Sequence, residues 1–350
     1  MIPGPLAAFC RGVAEDRMIL TGAMAIWAAF SGLLLMKGVG GIRPVSYLSN
    51  LILYLSALAF FLVPLIARRL WRHRPHSPLA FLGQLLTRSE LAIGLARGVP
   101  MLLALVLFMP AFSAMKSAIP LFNAYAWDDA WIGLDRALHG ADPWRLMQPV
   151  LGYPAVTSLL SLLYHLWILL IYAGGVWFCF FVSDRELRAR YFIAYFAAWS
   201  ILGVALATAT ASVGPCFLAP LIGDFRFEEQ MDYLREANRH FPVLTLPVQD
   251  QLIAWHQSGS HGLGRGITAM PSMHVSLAFL FFLAVRRLSK LAGVLFGLFF
   301  VAVLVGSVHL AYHYAVDGYV SVAATWILWV LAGRYVRRSH RTPERQPAMA

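Results

Sequence analysis

The sequence predicts an all-α fold, a polytopic transmembrane helix bundle of about eight helices. Composition is the first observation: 59% of the 350 residues are hydrophobic and only 13% charged, against the roughly 25% charged of an ordinary soluble domain. The second is that apolar runs near the length of about 20 residues needed to cross a hydrocarbon core recur near 18–36, 48–67, 93–114, 155–182, 192–213, 272–285, 292–310 and 317–333. The fourth is long enough to tilt or to extend past the bilayer. A soluble bundle of buried helices would need a polar outer shell, which few of these segments have.

Charge placement is the third observation. The net charge of +11 is not a polyanion site, because the basic residues sit in short segments between or beyond the apolar runs. They cluster at Arg68, Arg69, Arg72, Arg74 and Arg88, at Arg185, Arg188 and Arg190, at Arg286, Arg287 and Lys290, and at Arg334, Arg337, Arg338, Arg341 and Arg345. The positive-inside rule places these segments in the cytoplasm. Both termini are then inside, and nucleic acid is not an expected partner. The 37–47 connection departs from the pattern, carrying Lys37 and Arg43 on the side expected to be outside. Cys10, Cys179 and Cys216 fall in separate places, so neither a disulfide nor a zinc-type cysteine site is expected. An arginine-rich chain whose first run reads as a retained helix fits an integral protein of a bacterial inner membrane.

Two long connections lie on the opposite side. In the first, 115–153, residues 129–139 read as a short interfacial helix with Trp131, Leu134 and Leu138 on one face. The second, 214–270, is long enough to need structure of its own. Residues 226–240 read as an amphipathic helix, and Pro247 opens a second short one through Trp255. The glycine-rich run 258–266 follows; such a run can cradle phosphate through backbone N–H groups, but its simpler reading is a linker.

Ionisable residues inside spans are costly and point to function. His274 lies twelve residues before Arg286 and Asp317 seventeen before Arg334, about 18 Å and about 26 Å along a helix. Both histidines, His274 and His313, are therefore expected at head-group depth on the non-cytoplasmic side. His313 and Asp317 are at i and i+4, one face of a helix, where the carboxylate can accept a ring N–H and leave the other nitrogen free. An imidazole so oriented can attack phosphorus, and a second histidine can serve as acid and base. His309, His313 and Asp317 at i, i+4 and i+8 also resemble a metal face, yet only His274 stands ready to complete a ligand set; no metal or cofactor is expected. His165, mid-span, is expected to bond a neighbouring helix. Spacing alone leaves catalysis and the interfacial-histidine reading both open.

Pro271-Ser272-Met273-His274 resembles the P-S-G-H motif of the type-2 phosphatidic acid phosphatase superfamily, with methionine for glycine. Gly306-Ser307-Val308-His309-Leu310-Ala311-Tyr312-His313-Tyr314-Ala315-Val316-Asp317 resembles its S-R-x5-H-x3-D motif. The resemblance covers about 93–335 and implies a six-helix phosphatase-type core, with His313 as nucleophile, Asp317 orienting it, His274 as acid/base and Ser272 bonding phosphate. The S-R pair has become Gly306-Ser307, and Val213-Gly214-Pro215-Cys216-Phe217 stands where the K-x6-R-P motif belongs. Phosphoryl transfer depends on positive charge around the moving group, so other cations are expected: Arg265, Lys116 and Arg226, in that order, with His309 as a further substrate-side residue. Loss of the arginine while His-His-Asp is kept looks like the inositolphosphorylceramide-synthase branch.

The sequence thus predicts an N-terminal segment 1–92 with two extra helices and a basic loop, a catalytic core 93–335 with an outer vestibule 214–270, and a basic tail 336–350. The expected activity is a lipid phosphotransferase or phosphatase facing the periplasm, working through a phosphohistidine with water or an alcohol as acceptor. The alternative is a transporter that uses the same polar cavity without chemistry.

Overall fold

The computed structural model describes residues 4–40, 42–259 and 264–341. Residues 260–263 of the glycine-rich run and the tail beyond 341 lie outside the described residues. Every regular element among the described residues is helical. The chain opens with α1 (Pro5–Met36), α2 (Pro44–His73), the short α3 (Pro78–Arg88) and α4 (Glu90–Ser117). Next come α5 (Asp128–His139), α6 (Pro143–Leu151) and α7 (Pro154–Leu169), the last running through a π-helical turn, Leu170–Gly174, into α8 (Gly175–Phe180). Likewise α9 (Arg185–Ala197) passes through a π-helical segment, Ala198–Leu206, into α10 (Ala207–Ala209). The remainder is α11 (Pro215–Ile222), α12 (Glu228–His240), α13 (Thr245–Gln257), α14 (Met273–Val285), α15 (Lys290–His309) and α16 (Ala315–Arg341).

Seven of these stretches are long and apolar enough to cross a membrane: α1, α2, α4, α7–α8, α9–α10, α15 and α16. The predicted run at 272–285 is the exception. It forms α14, whose 13 residues span only about 20 Å. It packs against α15, α16 and α9 and is buried along most of its length. Protein rather than lipid surrounds it, so it need not reach both interfaces.

The arginine-rich segments gather at one end of the bundle. Buried Asp16 accepts from Arg188 Nη1 at 2.7 Å through both oxygens, and Glu15 pairs with Arg97 and Arg185. Arg190, Arg286 and Arg287 line one hollow at that end. These acids explain why α1 begins well before the apolar run at 18: its first turns pack on α4 instead of facing lipid. A Cβ on Gly12 would lie 2.2 Å from the Arg97 carbonyl oxygen, an approach only glycine permits. At the opposite end, Lys37 Nζ sits 5.0 Å from the centroid of Phe122. That contact puts the 37–47 connection beside the loop leading to α5, as alternation requires despite its charge.

Both helices expected in 214–270 form, as α12 and as α13, which begins two residues before Pro247. Met231, Leu234 and Ala237 are the buried stripe of α12. α5 forms where a short interfacial helix was expected, with Leu134 and Leu138 on its outer face. Leu134 and Leu138 are 41% and 60% exposed, while Asp128, Ile132 and Asp135 are buried. The aspartates turn inward because backbone N–H groups with no helical partner await them there.

Candidate active site

The site forms where α15 ends and α16 begins. Residues 310–314 are a turn, with Ala311 in the left-handed region at φ 63°, so His313 precedes the helix rather than riding on it. The i, i+4 expectation is corrected in this respect, although the pairing it predicted is present. His313 Nδ1 lies 3.2 Å from Asp317 Oδ2, and the same oxygen accepts the Tyr314 N–H at 3.0 Å. Asp317 is the third residue of α16, and its carboxylate reaches back over the open first turn, as acidic residues at helix starts do. Both side chains are buried.

Four side chains unforeseen from the sequence hold this turn. Asp135 accepts the Ala315 and Val316 N–H groups at 2.8 and 2.9 Å, capping α16 from another helix. Asp128 accepts from Val213 and Gly214 N–H and from the Tyr314 hydroxyl at 2.8 Å. Gln230 of α12 donates to the Val308 and His309 carbonyls, and Gln249 of α13 to that of Leu310. Burial pushes Asp135 above the ordinary carboxylate range, while its two backbone bonds pull it back. Burial first, and then the Asp128 carboxylate, push the Tyr314 phenol far above its ordinary value, so it remains a donor. The seven-residue separation of Asp128 and Asp135, with Ile132 between them, was the available sequence signal: two turns apart, they share one face.

His274 is the second residue of α14. Ser272 caps that helix, its Oγ accepting the Val275 N–H at 3.4 Å. The His274 ring stacks on Tyr164 with centroids 4.4 Å apart, lies 4.0 Å from the Trp167 ring, and sits 6.1 Å from His313 at 61°. Tyr164 in turn stacks on Tyr312 at 5.2 Å. This aromatic column fixes the imidazole beside its partner.

His274 also lines a cavity of about 380 Å³ that Lys116 and Arg265 share. Two contacts bring those cations to one edge. The Gly264 N–H donates to Ser113 Oγ of α4 at 3.0 Å, and a Cβ on Gly266 would lie 2.8 Å from Lys116 Cγ. Arg265 also rests over the Trp255 ring, 4.8 Å from its centroid.

Other expected residues are elsewhere. Arg226 is absent from the cavity lining; its guanidinium is engaged by Asp224 and Asp129, and the side chain of Asp129 is largely exposed. An opposite charge two residues away competes for it at far shorter range than the cavity. His309 is buried between α7 and α12, with Nε2 2.9 Å from Thr157 Oγ1, and does not line the cavity. His165 bonds its own helix, Nδ1 to the Ser161 carbonyl at 2.8 Å, instead of a neighbour, and its ring joins the cavity wall. Among the described residues there is no group of three or more His, Cys, Asp or Glu side chains placed to hold a metal.

This arrangement joins an oriented imidazole, a second imidazole and two cations on a helical membrane scaffold. A family model described as the PAP2 superfamily matches residues 129–331. The chain belongs to the PAP2 superfamily. Within it, the match runs from α5 into α16 and takes in both motifs, His274, His313 and Asp317. It leaves α1–α4, and with them Lys116, outside the matched residues. No curated protein and no solved structure matches the chain. Membership of this superfamily suggests phosphatase-type action on a lipid phosphate.

Proposed function

We propose that the protein moves a phosphate or phosphodiester head group from a membrane lipid to water or an alcohol, through a phosphohistidine on His313. The observation that carries this reading is the His313–Asp317 bond, outside the cavity lining but 6.1 Å from His274, which lines the cavity together with Lys116 and Arg265. With its Nδ1–H donated to Asp317, His313 presents the Nε2 lone pair. That nitrogen attacks phosphorus, and the P–O bond to the leaving alcohol breaks as His274 gives that oxygen a proton. In the second half His274 takes the proton of the acceptor hydroxyl, whose oxygen attacks phosphorus and breaks the N–P bond. The exchange is balanced, and both histidines return to their starting states. Lys116 and Arg265 hold the charged phosphate oxygens, in the bound lipid and through the displacement alike. Acid–base assistance by His274 is worth about 10²–10⁴-fold.

The test is a panel of lipids labelled in the phosphate, incubated with purified protein with and without alcohol acceptors. Acid-labile label on the protein, absent in His313→Ala, is expected, and product analysis then identifies the acceptor. Turnover that persists in His313→Ala would refute the covalent path.

A further inference from the structure

The cavity beside His274 is polarised along the membrane normal. On α4 its wall is formed by Met109, Phe112, Ser113 and Lys116, one helical face that descends about 10 Å from the cation to Met109. On α7 and the π-helical turn after it, the wall passes from Tyr164 beside His274 down to Ile171 and Tyr172, again about 10 Å. Cations and imidazole are thus at the top, and the floor is apolar. The cavity also reaches lipid. Leu53 of α2 and Ile168 of α7 both line it, both lie in membrane-spanning helices, and they stay 41% and 52% exposed. The departure from α-helical geometry begins two residues after Ile168, at Leu170, and such π-turns often mark functional positions.

The geometry points to a lateral portal between α2 and α7, through which a bilayer lipid slides its acyl chain into the apolar floor while its phosphate rests at Lys116 and Arg265. This rests on the lipid-phosphate reading above and deepens it. One lip, Leu53, and one cation, Lys116, come from the segment outside the family match. α2 therefore shapes chain selectivity and does not serve only as an anchor. A free, soluble phosphate ester would use the cationic top and leave the floor empty.

Two measurements test the portal. In the first, kcat/KM is compared for long-chain phosphatidic acid in nanodiscs and for a short-chain, water-soluble phosphatidic acid, in wild type, Leu53→Trp and Ile168→Trp. Filling either lip is expected to lower the long-chain over short-chain preference by about tenfold, the scale of overpacking a close-fitted site. An unchanged ratio in both variants overturns the proposal. In the second, long-chain phosphatidic acid carrying a photoreactive group in its chain is bound to wild type and to His313→Ala, and the labelled peptides are identified. Labelling around Leu53 and Ile168 in both proteins, competed by unlabelled lipid, is expected. Labelling confined to other surfaces overturns the portal even where turnover is normal. Labelling at the portal with no turnover in wild type leaves the portal standing and removes the catalytic reading.

Discussion

Asp135→Ala tests whether α5 positions the reacting histidine. The carboxylate is 3% exposed and accepts two N–H groups at the start of α16, at 2.8 and 2.9 Å. Alanine leaves both without an acceptor in a site closed to water. A buried unsatisfied donor costs about 1–3 kcal/mol, so the gross loss is about 2–6 kcal/mol. Against this, the variant no longer buries a carboxylate, and burial already raises that group's pKa. The net expectation is a loss of about 1–3 kcal/mol, the scale of a lost helix cap, relieved by letting the first turn of α16 fray toward solvent. Tyr314 and Asp317 move with that turn, and His313 moves with them. A displacement of about 1 Å costs on the order of 10² in rate. The expected result is a kcat lower by about 10²-fold, with KM within about threefold, because Lys116 and Arg265 are held by other elements. Lipid turnover in detergent gives the rates, and Leu138→Ala, exposed on the same helix, serves as the control. A lowered melting temperature with kcat near wild type would show that the clamp stabilises the fold without setting the geometry of the site.

Asp317→Asn keeps the shape of the side chain but presents a weaker, neutral acceptor to His313 Nδ1, and label transfer to the protein should slow by about 10³–10⁴-fold, as for an orienting carboxylate elsewhere; a change below about tenfold would remove Asp317 from the mechanism. Arg226→Ala removes a guanidinium held by Asp224 and Asp129, away from the cavity lining, and KM should stay within about twofold of wild type; a large rise would restore it to the substrate site. Burial lowers the pKa of His256 on α13 from its ordinary 6.5. A base with a depressed folded-state pKa contributes its full stability above pH 6.5, and that contribution is lost as pH falls through the lowered value. Limited proteolysis of the α13 region should therefore increase on acidification in wild type and much less in His256→Phe; equal sensitivity of the two proteins would assign the effect to another group.

What the sequence revealed and what it hid follow from the range of the interactions involved. The spans were legible because hydropathy is a local property, and the grouping of arginines at one end followed from alternation. His274 and Asp317 stood out because an ionisable residue inside an apolar run is conspicuous wherever it sits. The inward face of α5 was hidden. Its periodicity puts Trp131, Leu134 and Leu138 on one face, and only the fold shows that the N–H groups of Val213, Gly214, Ala315 and Val316 converge on the other. The partners of Arg226 were hidden for a related reason: depth and side are readable from the chain, whereas Asp129, which engages it, lies on α5. His309 looked like a third ligand by spacing, but the turn at Ala311 breaks the helix between His309 and His313. Their shared face therefore never forms.

Ser307 stands where the resembling motif carries arginine, and its backbone is committed to the turn before α16. The Ser307 carbonyl accepts both the Tyr312 and His313 N–H groups, at 3.1 and 3.0 Å, and its Oγ donates to the Leu304 carbonyl. This position shapes the turn that carries His313 and supplies no charge. On the proposed reading, the charge comes from Lys116 and Arg265, which depend on the seat of Gly266 against α4. A Cβ at Gly266 would lie 2.8 Å from Lys116 Cγ and 3.0 Å from the Lys116 carbonyl carbon. The lysine side chain can swing away, but the backbone contact cannot relax without moving the 264–266 segment and Arg265 with it. Gly266→Ala should therefore raise KM by about tenfold, the effect of about 1.4 kcal/mol of lost binding, while kcat on saturating lipid changes much less, because His313, Asp317 and Asp135 are untouched. A fall in kcat at unchanged KM would place the two cations in the reaction step and not in holding the phosphate.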